Sequence, residues 1–208
     1  MMPIRKSGRS RGLCFVCSSL AAHAVVLRAI PLLASLLVAL TLGAPQAAAQ
    51  TTLALTYGER ESITRTEFAV SLPSRWSGMW GPVAWSVLWN FDVAQWRSQE
   101  DNLHPDNRRS IWDVGFTPSV RFRGDVTSVG RPFADLGLGI HVLEDNTLGT
   151  KSLGTSWEFG EFGGVGLLFG PRDDFGLSFR VMHESNAGIK DPNNGLTVYL
   201  VRLEYTFQ

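Results

Sequence analysis

The sequence predicts an all-β protein: an eight-stranded antiparallel transmembrane β-barrel preceded by a signal peptide. Three observations carry this. After residue 50 no segment sustains a helical period, whereas many alternate apolar and polar residues with a period of two. The alternating runs are about ten residues long, the length of a tilted strand that crosses a bilayer. The face opposite the apolar one carries charge near mid-strand, as at Arg202 and Glu204, which suits a polar lumen.

A soluble sandwich is the rival architecture, since its strands also alternate and its apolar faces meet in the core. The barrel is favoured by the closing apolar-aromatic strand, Tyr199 to Phe207, behind a signal peptide. All seven tryptophans also follow residue 50, as interfacial girdles would require.

Residues 1–49 read as the signal peptide and residues 50–208 as the barrel. Arg5, Lys6, Arg9 and Arg11 form a basic start, two apolar stretches follow (Leu13 to Leu27 and Ile30 to Leu42), and Ala47 to Ala49 supply small residues at a cleavage point. An uncleaved anchor is the minor alternative, because neither stretch reaches about 20 apolar residues without crossing Arg28. The presequence holds five of the nineteen basic side chains and none of the nineteen acidic ones, so the remainder carries a net charge of −5. That excludes a basic nucleic-acid stripe. Cys14 and Cys17 lie in the presequence, where a C-x-x-C spacing reads as two small apolar residues rather than a redox or zinc pair.

Eight strands are expected at 51–58, 62–72, 83–96, 110–122, 132–143, 157–169, 174–185 and 196–208. In the third, Val83, Trp85, Val87, Trp89, Phe91 and Val93 share one face. In the fourth, Trp112, Val114, Phe116 and Val120 oppose Asp113, Gly115, Thr117, Ser119 and Arg121. In the fifth, Ala134, Leu136, Leu138, Ile140 and Val142 oppose Asp135 and His141, which makes His141 a lumen residue. The sixth is the weakest: Trp157, Phe159, Val165, Leu167 and Phe169 share a face that Glu161 breaks, which a bulge or a later strand start would repair. A barrel of eight strands is filled by side chains, so no pore is expected.

Parity orients the barrel. With an even strand number and periplasmic termini, the connection from strand seven to strand eight faces outward from the cell. The connection at 170–174 is then a short periplasmic turn, and the longer, polar segments 97–109 (with His104) and 144–156 are outer loops.

Strand seven ends in the segment that carries chemistry, His183-Glu184-Ser185-Asn186-Ala187-Gly188-Ile189. Phe175, Leu177, Phe179 and Val181 lie on the apolar face, and the same parity continues through His183 and Ser185. Both therefore point outward at the outer rim, where a lipid rather than a small soluble molecule is the accessible substrate. Residues i and i+2 of a strand are about 7 Å apart at Cα, so a bend brings the His183 imidazole to the Ser185 hydroxyl as its general base. Asn186 and the Gly188 N–H are next in line as oxyanion donors. A His and a Ser two apart on a strand also arise by chance. A zinc-binding H-E-x-x-H would need histidine where Ala187 stands, and no G-x-S-x-G elbow surrounds Ser185.

The run from Phe179 to Lys190, followed by Pro192-Asn193 and Gly195-Leu196, closely resembles the signature of the PagL-type lipid A 3-O-deacylases, outer-membrane acyloxyacyl hydrolases. Trp89 to Trp96, Phe116 to Arg121, Pro132 to Ile140 and Leu153 to Phe169 also look like strands of that family. The resemblance implies an eight-stranded barrel in the outer membrane that removes the ester-linked acyl chain at position 3 of lipid A with a Ser/His/Glu triad. No metal or other cofactor is implied. Its partners would be lipopolysaccharide and membrane lipids, with no nucleic acid; a homodimer is left open. Carried over by motif, His183 is the base, Ser185 the nucleophile, and Asn186 and Gly188 the oxyanion groups. The family's acid falls at Thr197, which has outward parity but no charge. It can orient His183 without stabilising the imidazolium. Glu184 and Glu204 have lumen parity, and Asp191 lies in the loop. The alternative function is a non-catalytic small barrel with a structural or adhesive role.

Overall fold

The computed structural model describes residues 50–207 apart from 102 and 106; the expected signal peptide lies outside the described residues. The regular elements of that span are all strands: β1 (Thr52–Arg60), β2 (Ile63–Trp80), β3 (Val83–Ser98), β4 (Ser110–Arg123), β5 (Arg131–Leu143), β6 (Thr147–Leu148), β7 (Lys151–Ser152), β8 (Trp157–Phe169), β9 (Phe175–Ser185) and β10 (Leu196–Thr206). Eight of them close an antiparallel barrel in the order β1-β10-β9-β8-β5-β4-β3-β2, while β6 and β7 form a small hairpin in an outer connection. Closure leaves no unpaired edge, the condition for sheet in a bilayer.

Alternation decides which side each residue faces. Leu55, Tyr57, Ile140, Phe179, Val201 and Leu203 are exposed on the outside, while their strand neighbours are buried; Leu136 and Leu138 are exposed on the same face. In a membrane protein this exposed apolar belt is where lipid sits. Aromatic rings gather at its two ends. Trp76 packs edge-on against Trp89 near the periplasmic hairpin, and Trp157 packs edge-on against Phe159 at the outer rim. Trp96 departs from the girdle expectation. It is fully buried inside, where its Nε1–H donates to Asp113 Oδ2 at 2.5 Å, so it serves the lumen rather than an interface.

The lumen has two layers. Toward the outer end Ile63, Trp96, Ile111, Leu143, Met182, Leu196 and Val198 form an apolar cluster, which Leu148 and Leu153 of the β5–β8 connection close from above. Elsewhere the interior is ionic. Arg121 donates to both oxygens of Asp135 at 2.8 Å each and to Glu204 at 2.6 and 3.0 Å, and Arg180 reaches Asp135 at 2.7 Å. Arg65 pairs with Glu67 and reaches Asp92 at 3.1 Å. Such groups are tolerable without water only because each charge has a partner. A cavity between Asn90, Arg180, Met182 and Arg202 measures about 20 Å³, room for roughly one water.

Three expectations are revised. β2 runs on to Trp80, eight residues past the expected end, because a register shift between Pro73 and Ser77 lets it pair with β3 in a long hairpin. The outer connection 144–156 contains the β6–β7 hairpin. And β8 needs no bulge at Glu161: its pairing with β5 and β9 is unbroken. Glu161 simply faces outward with its apolar neighbours.

Candidate active site

β9 delivers the site residues. His183 and Ser185 are half-buried on the outer surface of the barrel, and Glu184 between them is buried in the lumen, as alternation requires. The β9–β10 register sets His183 directly opposite Thr197. Their side chains meet: the Thr197 Oγ1 lies 2.8 Å from Nδ1 of His183. With Nδ1 as the donor, the free nitrogen of the ring is Nε2, the tautomer a general base needs. His183 and Ser185 share the outward face, with no hydrogen bond between them; contacts of this kind commonly tighten when substrate binds.

The ring is held from above as well. Gly195 has a φ of 59°, and a β-carbon there would lie 2.7 Å from Cε1 of His183. Glycine is thus required twice, for the left-handed backbone and for the close approach. The sequence reading placed Gly195 in the motif and its turn but not against the His183 ring.

Beyond Ser185 the chain folds into a tight turn. Ala187 and Gly188 have φ of 55° and 75°, and the Ile189 N–H donates to the Asn186 carbonyl at 3.1 Å, the pattern of a type I′ turn. A left-handed alanine costs on the order of 1 kcal/mol, so the surroundings must enforce it. Asn186 does so. Its Nδ2 donates to the carbonyls of Leu153 and Lys190, both at 2.7 Å, and its backbone N–H donates to Asn193 Oδ1 at 3.1 Å. Asn194 adds a backbone bond to Ser152 at 3.3 Å, so the 186–195 loop is locked to the β6–β7 connection.

This geometry separates the two expected oxyanion groups. The Asn186 amide is buried and already committed to two carbonyls, so in this arrangement it shapes the loop and does not face Ser185's side of the barrel. Gly188 is exposed with open space where a side chain would be. Among the described residues no acceptor takes its N–H. Asp191 is exposed in the loop, and Glu204 lies in the lumen bonded to Arg121, on the other face from His183. His141 is fully buried in the lumen beside Asp113, at 3.4 Å, and plays no part on the outer face.

A polar cleft of about 200 Å³ opens beside Thr197, bordered by Arg60, Glu61, Lys151 and Asn194. The outward row at this level crosses three strands: Glu161 on β8 pairs with His183, and His183 with Thr197. Glu161 is a second residue that the sequence reading did not place in this row. The break in alternation was its signal, read as a bulge instead of as an outward charge.

Fold and site together define a class: a small outer-facing barrel with a serine and a histidine side by side on its lipid-facing rim. The chain belongs to the lipid A 3-O-deacylase (PagL) family, whose sequence profile matches residues 64–206. It is 31% identical over 183 residues to the lipid A deacylase PagL of Bordetella bronchiseptica, covering 83% of this chain and 93% of that protein. The lipid A deacylase PagL of Pseudomonas aeruginosa is 30% identical over 127 residues, 54% of this chain and 70% of that one. A crystal structure of the outer membrane enzyme PagL superposes with a TM-score of 0.63 at 21% identity, over 74% of this chain and 98% of that one, which bears on the fold.

Proposed function

We propose that this protein is an outer-membrane esterase that hydrolyses the 3-O-linked acyl chain of lipid A, with Ser185 as nucleophile and His183 as base. The observation that carries the reading is the outward direction of both side chains at the rim, beside a histidine-orienting hydroxyl. A lumen-facing pair would meet no lipid. Family membership supports the reaction class.

The Ser185 hydroxyl attacks the ester carbonyl while its proton passes to Nε2 of His183. The tetrahedral oxyanion is met by the Gly188 N–H, presented by the turn that Asn186 locks; one such donor is typically worth about 3 kcal/mol. Collapse returns the proton to the departing sugar oxygen and leaves an acyl-serine, which water then cleaves with His183 again as base. Thr197 keeps Nδ1 occupied throughout. The substrate's acyl chain lies along the apolar exterior, already in its natural solvent. Residues 1–49 are the export signal in this reading, and N-terminal sequencing of protein isolated from outer membranes tests it.

Mass spectrometry of lipid A from cells expressing the chain tests the function. The expected result is loss of one hydroxyacyl chain, abolished in Ser185→Ala and His183→Ala. An unchanged lipid A profile with folded barrel in the outer membrane would overturn the reading in favour of a non-catalytic barrel.

A further inference from the structure

Glu161 is a carboxylate on the apolar exterior. It is exposed, on the same face as Trp157, Phe159, Val165 and Leu167. A charge on the lipid side of a spanning strand is unfavourable in proportion to its depth, so its presence calls for a compensating role. Its cross-strand neighbours are Leu138 on β5 and His183 on β9. Directly opposed residues of an antiparallel pair have Cβ atoms about 4.5–5.5 Å apart, within reach of a glutamate side chain. His183 therefore has a bonded hydroxyl on one strand and a carboxylate in register, not bonded to it, on the other.

The other charged groups nearby are farther along the rim or turned away. On β10, Thr197 and Tyr199 are uncharged. Glu59 pairs across to Tyr199. Past them, Arg60 and Lys151 each lie near Glu61, at 3.8 and 3.6 Å. Lys190 and Asp191 are in the loop, and Glu184 faces the lumen. Glu161 is thus the carboxylate in His183's own outward row.

We propose that Glu161 is a positioning residue for His183: from the β8 flank its carboxylate supplies the negative charge that Thr197 lacks on the β10 flank. Its carboxylate balances the positive charge that His183 gains when Ser185 gives up its proton. The proposal rests on the esterase reading.

The test measures kcat and KM for acyl release from lipopolysaccharide by the full chain purified from outer membranes. The variants are Ser185→Ala, Glu161→Gln, Glu161→Asp and the double variant Glu161→Gln/Thr197→Glu. Glu161→Gln removes a charge from a lipid-facing position, so it eases insertion into the membrane. The expected result is a kcat lowered at least ~10-fold with KM unchanged, part of the activity kept in Glu161→Asp, and recovery in the double variant, whose carboxylate comes from the other flank. A Glu161→Gln kcat within about twofold of the parent, while Ser185→Ala is inactive, overturns the proposal alone. So does a loss that is as deep in Glu161→Asp as in Glu161→Gln and that Thr197→Glu does not relieve, since a structural defect would behave that way. An inactive parent chain overturns the esterase reading, and this proposal with it.

Discussion

The Thr197 hydroxyl lies 2.8 Å from Nδ1 of His183, across a β9–β10 register that sets the two residues directly opposite each other. A hydroxyl at this place fixes the tautomer and the ring plane, but it offers no charge. A neutral hydrogen bond contributes about 0.5–1.5 kcal/mol net, and a charge-assisted one roughly twice as much. Thr197→Val keeps the shape and removes the bond, so kcat is expected to fall about 10-fold with little change in KM. Thr197→Glu is expected to raise kcat. Acyl release from lipopolysaccharide in detergent measures both, and a lower rate for Thr197→Glu would show that this row does not accommodate a carboxylate on its β10 flank.

Gly195 bears on the same ring from the loop side. Alanine there must adopt a φ of 59° and bring its β-carbon within 2.7 Å of His183 Cε1. The ring is the softer party and is displaced. A displacement of about 1 Å in a catalytic group commonly costs on the order of 100-fold in rate. Gly195→Ala is therefore expected to lose most of its kcat, with the barrel's thermal unfolding shifted only slightly. An active Gly195→Ala variant would mean that the imidazole is free to lean elsewhere and still work.

Asn186 tests whether the loop's shape, rather than the amide itself, supports the reaction. Its Nδ2 holds the carbonyls of buried Leu153 and exposed Lys190 at the junction of two outer connections. Asn186→Ala takes the donor from the buried Leu153 carbonyl, at about 1–3 kcal/mol, and releases the left-handed Ala187-Gly188 turn. The expected outcome is a fall in kcat accompanied by faster amide hydrogen exchange at residues 187–190. A fall in kcat with exchange unchanged would instead assign the amide directly to the oxyanion.

Strand parity made most of this legible in the sequence, because a lipid on one side and charge on the other force strict alternation. The outward direction of His183 and Ser185 follows from Phe175, Leu177, Phe179 and Val181 alone. What alternation does not carry is register. Nothing in the sequence indicates that Glu161 lies opposite His183, because that depends on how β8 and β9 slide past each other. Parity does place Trp96 inside, opposite the Val83 to Val93 face, but it does not name its partner there, Asp113, 17 residues away. The Asn186 amide fell in the right motif, yet its donors were claimed by Leu153, a contact between loops that local pattern cannot encode.

The ionic lumen provides a prediction that separates stability from activity. Arg121 holds Asp135 through two parallel bonds of 2.8 Å, reaches Glu204 at 2.6 Å, and stacks over the Phe133 ring at 4.1 Å. These residues face inward on the part of β4, β5 and β10 away from the outer loops, with the apolar cluster of Trp96, Met182 and Val198 toward the outer end of the lumen. Removing the guanidinium leaves two buried carboxylates with only Arg180 and Arg202 to share. Breaking a buried pair from one side typically costs about 3–5 kcal/mol. Arg121→Ala is therefore expected to lower the urea midpoint of unfolding in lipid vesicles, while kcat per folded molecule remains that of the parent. Intrinsic tryptophan fluorescence follows the first and acyl release the second. A drop in kcat in the folded variant would mean that the lumen network governs the rim directly through Glu184, and would move the boundary of the active site inside the barrel.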